Sequence, residues 1–269
     1  MRKKNKRIID KNNLRTRNVS KDLLGNKKKS KKNRDKPHDW RLCPYGEHLV
    51  TTHPLHIPPS EKNSLGSITT RKGHCARNPS GKDQLYPDEI KAISERQFRD
   101  LKNKPCSLNL NFENGSKYDD LIAGWTQYWN EVLQPKIPLE PNIVKALIAS
   151  ESGFKPDALA KKSDPNSARG LMQVTNEARK ALGNEKGEIK NHYLTLTRDE
   201  LNDPPNNVCA GIRWLFQKQK LASGHLGHYA DWMETIKDYK GLRKKTDKEA
   251  LGFIKVLNKY LDKLKKCVK

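Results

Sequence analysis

The segment PNIVKALIASESG, residues 141–153, determines the local fold of the second half of the chain. Pro141 suits the first turn of a helix, where its missing N–H has no intrahelical partner to lose. An apolar stripe with three- and four-residue spacing follows: Val144, Leu147 and Ile148. The same spacing next reaches Glu151, and Gly153 suits the left-handed conformation that ends a helix. The segment therefore predicts a helix that begins at Pro141 and ends close to Glu151.

Glu151 is the unusual residue of this helix, because unpaired carboxylates are rarely buried. Partial burial and the negative end of the helix dipole both disfavour the anion, so we expect the pKa of Glu151 to lie above that of a surface glutamate. A carboxylic acid that stays protonated is what proton transfer to a glycosidic oxygen requires. The alternative from spacing alone is a structural salt bridge to Arg169 or to a lysine, and it stays open at this point.

Amphipathic segments lie on both sides of this helix. Further helices are predicted from Lys117, from Pro205, and from the capping box formed by Thr246 and Glu249. Together they predict a mainly α fold, with one helical domain over residues 106–265.

Most of the basic excess lies at the N-terminus. The net charge is +23, and the first 36 residues hold 16 Lys and Arg against three Asp. Residues 1–37 are predicted to form a disordered basic arm, which is either a solvated tail or an attachment to an anionic polymer. The chain has no run of about 18 apolar residues and no apolar core of a signal peptide, so we expect no stable membrane insertion and synthesis in the cytoplasm without a signal peptide.

Residues 38–105 are predicted to form a small irregular, β-containing module that is rich in Cys and His and carries a helix from Asp88. The predicted metal ligands are Cys43, His48, His74 and Cys75, with His53 and His56 as alternates. They supply enough ligands for one zinc ion, while ordinary packing is the alternative. The odd count of five scattered cysteines does not indicate a disulfide scaffold.

Four blocks in chain order resemble the soluble lytic transglycosylases (SLT) of peptidoglycan. The blocks are Ala149–Phe154 (ASESGF), Ala168–Val174 (ARGLMQV), Asp203-Pro204 with Asn207-Val208 and Gly211, and Lys237–Gly241 (KDYKG). The resemblance covers about residues 115–242, implies a lysozyme-like helical fold, and does not include the Cys/His module. The last block departs from the family pattern Ala-Tyr-Asn-Ala-Gly, because Asp238 and Lys240 flank Tyr239.

The resemblance implies a role for each matching residue. Glu151 is expected to be the general acid and then the base, with no cofactor in the catalytic domain. Met172 and Gln173 are expected to line the sugar groove. Tyr239 is expected to hydrogen-bond near the catalytic carboxyl, and Ser152 to support the Glu151 turn beside the substrate. The implied product is a 1,6-anhydromuramyl end, closed without water.

Two other functions remain open at the level of sequence. In a goose-type muramidase, Asp157 or Asp164 would orient a hydrolytic water, although both residues also suit turns beside Pro156 and Pro165. A basic nucleic-acid-binding protein would use the N-terminal arm, but the chain lacks zinc-finger spacing and a helix-turn-helix signal.

The expected partners are the glycan strands of peptidoglycan. Because synthesis is expected in the cytoplasm, the sequence predicts non-classical delivery to the periplasm or cell wall. This favours an antibacterial effector or a phage-type lysin, with the N-terminal module docking on a secretion-system or phage-tail component.

Overall fold

Seven α-helices and three two-stranded sheets form the part of the chain that the computed structural model describes, namely residues 40–164, 166–242 and 247–268. The helices are α1 (Pro87–Gln97), α2 (Asp119–Leu133), α3 (Pro141–Glu151), α4 (Asn176–Gly183), α5 (Pro204–Leu226), α6 (Trp232–Tyr239) and α7 (Asp247–Lys265). The strands are β1 (Glu47–Val50), β2 (His53–Ile57), β3 (Ser67–Arg71), β4 (His74–Arg77), β5 (Gln84–Leu85) and β6 (Tyr193–Leu194). The mainly α class is confirmed. The predictions for residues 1–37 and for Thr246 lie outside the described residues.

Helix α3 begins at Pro141 and ends at Glu151, as the sequence predicts, and Gly153 follows with a φ of +57°. It packs against α2 and α7, with its apolar stripe fully buried. Lys145 is also fully buried, and its ammonium donates to the two carboxylate oxygens of Asp119 on α2 at 2.8 and 3.0 Å. Burial raises the pKa of Asp119 to about 6 and lowers that of Lys145. This buried pair joins α3 to the start of α2.

Helix α5 packs against α1, α2, α4 and α6, and one buried amide on it positions the loop between α3 and α4. The Asn207 side chain donates to the carbonyls of Arg169 at 2.9 Å and Leu201 at 2.7 Å, and accepts from the Met172 N–H at 2.8 Å. Gly170 lies in this loop with a φ of +76°, and a Cβ there would lie 2.1 Å from the Asn207 amide nitrogen. The loop is therefore held at a fixed place on α5.

Residues 40–105 belong to the same compact unit as the helices, whereas the sequence predicts a division between residues 105 and 106. Strand β1 pairs with β4 and β2 with β3 in antiparallel register, whereas β5 pairs in parallel with the distant β6. Buried Arg41 donates to Glu89 of α1 at 2.7 Å and also to Asp83. The Asp83 carboxylate lies 2.8 Å from Nδ1 of His192. These polar contacts join the N-terminal strands to the helical core.

Disulfide bonds join Cys43 to Cys75 and Cys106 to Cys267, and Cys209 is a buried free thiol. The odd, scattered cysteines did not indicate a disulfide scaffold, and these two bonds differ from that expectation. None of the described helices combines the length and apolar character needed to cross a membrane.

Candidate active site

A cleft of about 420 Å³ opens where the end of α3, the loop between α3 and α4, and the end of α6 meet. Four of the sequence-predicted residues line it: Glu151, Ser152, Gln173 and Tyr239. The other lining residues are Ala158, Leu159, Ala160, Ala168, Thr175 and Lys240. Among these described lining residues, Glu151 is the single carboxylate.

Glu151 occupies the last position of α3, and only 4% of its side chain is exposed. Its Oε2 accepts a hydrogen bond from Lys240 Nζ at 2.6 Å, whereas Oε1 is buried and has no partner among the described residues. Burial raises the pKa of Glu151 above its ordinary value, and the charge and hydrogen bond of Lys240 act in the opposite direction without reversing the shift. The geometry combines both sequence interpretations, since the acid is buried and also paired with a lysine.

Two hydroxyl groups fix the backbone around this carboxyl. Ser152 donates to the carbonyl of Leu171 at 2.8 Å, which connects the end of α3 to the following loop. Tyr239 donates to the carbonyl of Met172 at 2.7 Å. Burial, together with the nearby charge of Glu151, raises the pKa of Tyr239 well above its ordinary value, so the phenol stays neutral and acts as a donor. Both residues line the cleft while their hydrogen bonds hold the loop.

The two residues expected to line the sugar groove separate in the structure. Gln173 lies in the cleft with a φ of +49°, and its amide nitrogen donates to the carbonyls of Ala158 at 3.0 Å and Gly170 at 2.9 Å. Met172 is fully buried in the core, so its side chain does not line the groove. A Cβ on Gly211 of α5 would lie 2.5 Å from the Met172 sulfur, which shows how closely the two elements pack. Met172 therefore packs the loop onto α5, which corrects the predicted sugar contact.

Neither aspartate considered for water orientation lines this cleft. Asp157 is exposed, and Asp164 accepts a hydrogen bond from the backbone N–H of Asn166 at 2.9 Å, as a turn residue does.

The predicted zinc ligands do not converge in the structure. The sulfurs of Cys43 and Cys75 are bonded to each other, so neither is a free thiolate. His48 instead pairs through Nδ1 with Asn78 at 2.7 Å, and His74 through Nδ1 with the carbonyl of Lys72 at 3.2 Å. Within residues 40–164, 166–242 and 247–268, no group of three or more His, Cys, Asp or Glu residues is placed to hold a metal ion. The alternates His53 and His56 belong to no such group either, so the arrangement differs from the predicted zinc site.

Residues 128–250 match the family model described as the transglycosylase SLT domain. The chain carries a transglycosylase SLT domain. Domains of this family degrade peptidoglycan by lytic-transglycosylase chemistry, and the lysozyme-like fold follows from the same match. The matched range contains every residue that lines the cleft. A search of curated proteins found no match to the chain.

Lys240 is the residue of this SLT domain that sequence reasoning missed. It follows Tyr239 directly, at the position where the family pattern has asparagine, and its ammonium also lies 5.3 Å from the ring centroid of Phe253 on α7. The departure from the family pattern was the available signal. Helical spacing did not reveal its partner, because Glu151 ends α3 whereas Lys240 follows α6, 89 residues further along the chain.

Proposed function

We propose that this SLT domain is a lytic transglycosylase that cleaves the β-1,4 bond between N-acetylmuramic acid and N-acetylglucosamine, with Glu151 as its one acid–base group. The observation that carries the proposal is the cleft itself, in which Glu151 is buried and no second carboxylate lies among the described lining residues. A two-carboxylate glycosidase needs a second acidic group across the scissile bond. A transglycosylase that uses its substrate as the nucleophile does not.

The reaction needs one proton to leave Glu151 and one to return. The protonated Glu151 carboxyl gives its proton to the glycosidic oxygen, the bond from that oxygen to C1 of the muramyl sugar breaks, and the substrate acetamido group stabilises the cationic carbon. The Glu151 carboxylate then takes the proton of the muramyl 6-hydroxyl as its oxygen attacks C1. The 1,6-anhydro ring closes, no water is consumed, and Glu151 is protonated again.

Lys240 supports the intermediate of this sequence. Its ammonium is held 2.6 Å from Oε2 of the carboxyl that transfers the proton. When the proton leaves, the negative charge forms beside an ammonium group that is already in place, which lowers the free energy of the carboxylate. Burial thus favours the protonated acid that the first step needs, and the nearby ammonium favours the carboxylate that the second step needs.

Mass spectrometry of peptidoglycan digests tests the proposal. We expect the full chain to release muropeptides with 1,6-anhydromuramyl ends, and Glu151→Gln to lower the rate by about 10²–10⁴-fold, the usual contribution of a general acid. Glu140→Gln is the matched control, because Glu140 is exposed at the other end of α3. Products with reducing ends would instead identify a muramidase, and full activity of Glu151→Gln would remove Glu151 from the mechanism.

The proposed site of action is the periplasm or cell wall, where the polymer lies, after delivery as an antibacterial effector or phage-type lysin. The two disulfides support an oxidising compartment, since such bonds persist outside the cytosol. A secretion-system or phage-tail component remains the proposed partner of the N-terminal region. Fusion to a periplasmic export signal is expected to lyse the host, whereas the fusion with Glu151→Gln is not. Lysis by both fusions would contradict a role for the cleft.

A further inference from the structure

A second groove of about 420 Å³ lies on the SLT domain and shares no lining residue with the Glu151 cleft. It lies between the loop after α2, the residues before β6, and the C-terminal half of α5, and we name it the α5 groove. Its charged lining residues are Lys136, Lys190, Arg213 and Lys220. No carboxylate is among the described residues that line it, so the groove favours an anion.

Arg213 is the most informative of these cations because it is 4% exposed. It donates from Nε to the carbonyl of His192 at 3.2 Å and from Nη2 to the carbonyl of Asn191 at 3.1 Å, and it lies 5.6 Å from the ring centroid of Trp129. Among the described residues, no carboxylate pairs with it. Buried charges in proteins are usually paired, so a buried guanidinium that lacks a carboxylate at the wall of a groove indicates a missing anion.

Arg41 provides a comparison within the same molecule. It is buried to a similar degree, but it pairs with the carboxylates of Glu89 and Asp83, and the pKa of Arg41 lies above its ordinary value. Burial without such a partner lowers the pKa of Arg213 to about 10. The chain therefore neutralises one buried arginine internally and leaves the other at the wall of an open groove.

Neutral polar groups complete the α5 groove. The Tyr229 hydroxyl donates to Gln219 at 3.2 Å, and the Gln219 amide nitrogen donates to the carbonyl of Ala230 at 3.2 Å, so both side chains are held in place. Gln134, Asn191 and Gln217 also line the groove and offer amide donors and acceptors. Amides beside cations suit a ligand that carries both peptide groups and carboxylates.

We propose that the α5 groove binds the carboxylate-bearing stem peptide of peptidoglycan, apart from the glycan strand held in the Glu151 cleft. The choice of this peptide rests on the proposed function, because that substrate brings free carboxylates to the domain. Arg213 and the three lysines bind the carboxylates, and the amide side chains bind the peptide groups.

Titration calorimetry with a synthetic stem peptide tests the proposal on the full chain. The groove variant combines Lys136→Ser, Lys190→Ser and Lys220→Ser, and the control combines Lys72→Ser, Lys102→Ser and Lys180→Ser, three exposed lysines outside the groove. We expect the groove variant to raise Kd about tenfold and the control to leave it within about twofold, since exposed ion pairs each contribute modestly. Equal weakening in both variants would show a general charge effect and overturn the proposal.

Two further probes decide the ligand chemistry. The same peptide with its carboxylates amidated should bind the wild-type chain about tenfold more weakly, because it lacks the charges that the cations meet. Equal binding of the amidated peptide overturns the carboxylate assignment. Inorganic phosphate is the second probe. If phosphate binds the wild-type chain more tightly than the peptide does, and the groove variant loses this binding, the ligand is a phosphate and the carboxylate assignment is overturned.

Failure of peptide binding in the α5 groove can be distinguished from failure of the proposed reaction in the Glu151 cleft. The peptide has no glycosidic bond, so its binding should survive Glu151→Gln unchanged. A chain that binds the peptide through the groove lysines but releases no anhydromuropeptides would retain the α5 groove and lose the proposed reaction. A chain that cleaves glycan strands but binds no peptide would do the reverse.

Discussion

Lys240 Nζ lies 2.6 Å from Glu151 Oε2, and it joins the end of α6 to the end of α3 across the cleft. Burial raises the pKa of the Glu151 carboxyl, whereas the lysine lowers it. A general acid must be protonated before it reacts, and the base of the second step must be ionised. Burial and Lys240 therefore act in opposite directions on the pKa of Glu151, and the proposed reaction uses its protonated and ionised forms in turn.

Replacing Lys240 by asparagine, the residue of the family pattern, is expected to raise the pKa of Glu151. Loss of the cation disfavours the carboxylate, so Glu151 stays protonated to higher pH and the basic limb of the activity profile moves to higher pH. Peptidoglycan solubilisation measured across pH checks this. Lys237→Asn is the control, because Lys237 is an exposed cation in the last turn of α6 that does not touch Glu151. A basic limb that moves to lower pH, or equally in both variants, would contradict the role of the pair.

The Asn207 side chain holds the loop that carries Gln173. Asn207→Ala removes three hydrogen bonds from fully buried groups and leaves their partners unpaired, so we expect about 2–4 kcal/mol of lost stability. Urea unfolding monitored by circular dichroism measures the change.

The neighbouring residue provides the control for this variant. Asn206 is also buried, but its side-chain oxygen has no partner among the described residues. Asn206→Ala should therefore destabilise the chain less than Asn207→Ala, and the reverse order would show that the Asn207 amide does not hold the loop.

Removing one member of the Lys145–Asp119 pair is expected to cost more than removing both. Lys145→Met leaves Asp119 without its partner and should destabilise the fold by about 3–5 kcal/mol. The double variant Lys145→Met with Asp119→Leu removes both charges, and we expect it to recover most of that loss. Free energies of unfolding for the two single variants and the double variant form the cycle. Additive losses would mean that the two groups are not coupled.

The sequence predicts what depends on local spacing and misses what depends on distant contacts. Pro141 and the apolar stripe of α3 specify a helix that ends at Glu151, because a helix repeats every few residues. The partner of Glu151 comes from α6, and no period within α3 contains it. The family blocks around Asn207 and Tyr239 were found for the same local reason, but the burial of Met172 depends on how the loop packs onto α5.

The N-terminal strands show the same limit. Their histidines and cysteines are close in sequence to one another, which suggests a ligand set, yet the antiparallel pairing of β1 and β4 decides which of them meet. Arg41 and Glu89 are 48 residues apart, and their buried ion pair fixes this segment onto α1. Composition alone predicted a separate module, because the packing of the segment against the helices leaves no periodic signal.

A disulfide and a metal site in the N-terminal strands differ in their measurable consequences. Cys43 is buried and bonded to Cys75, with the two Cα atoms 5.6 Å apart. Peptide mapping without reductant should recover the linked pair, and metal analysis of the purified chain should find no zinc bound through these cysteines. The bond closes a segment of about 32 residues, so Cys43→Ser with Cys75→Ser is expected to cost about 3–4 kcal/mol of stability. His48→Ala is the control, because a zinc site would lose its zinc through this change whereas the disulfide would remain. Stoichiometric zinc that is lost in both variants would overturn the disulfide and restore the metal site.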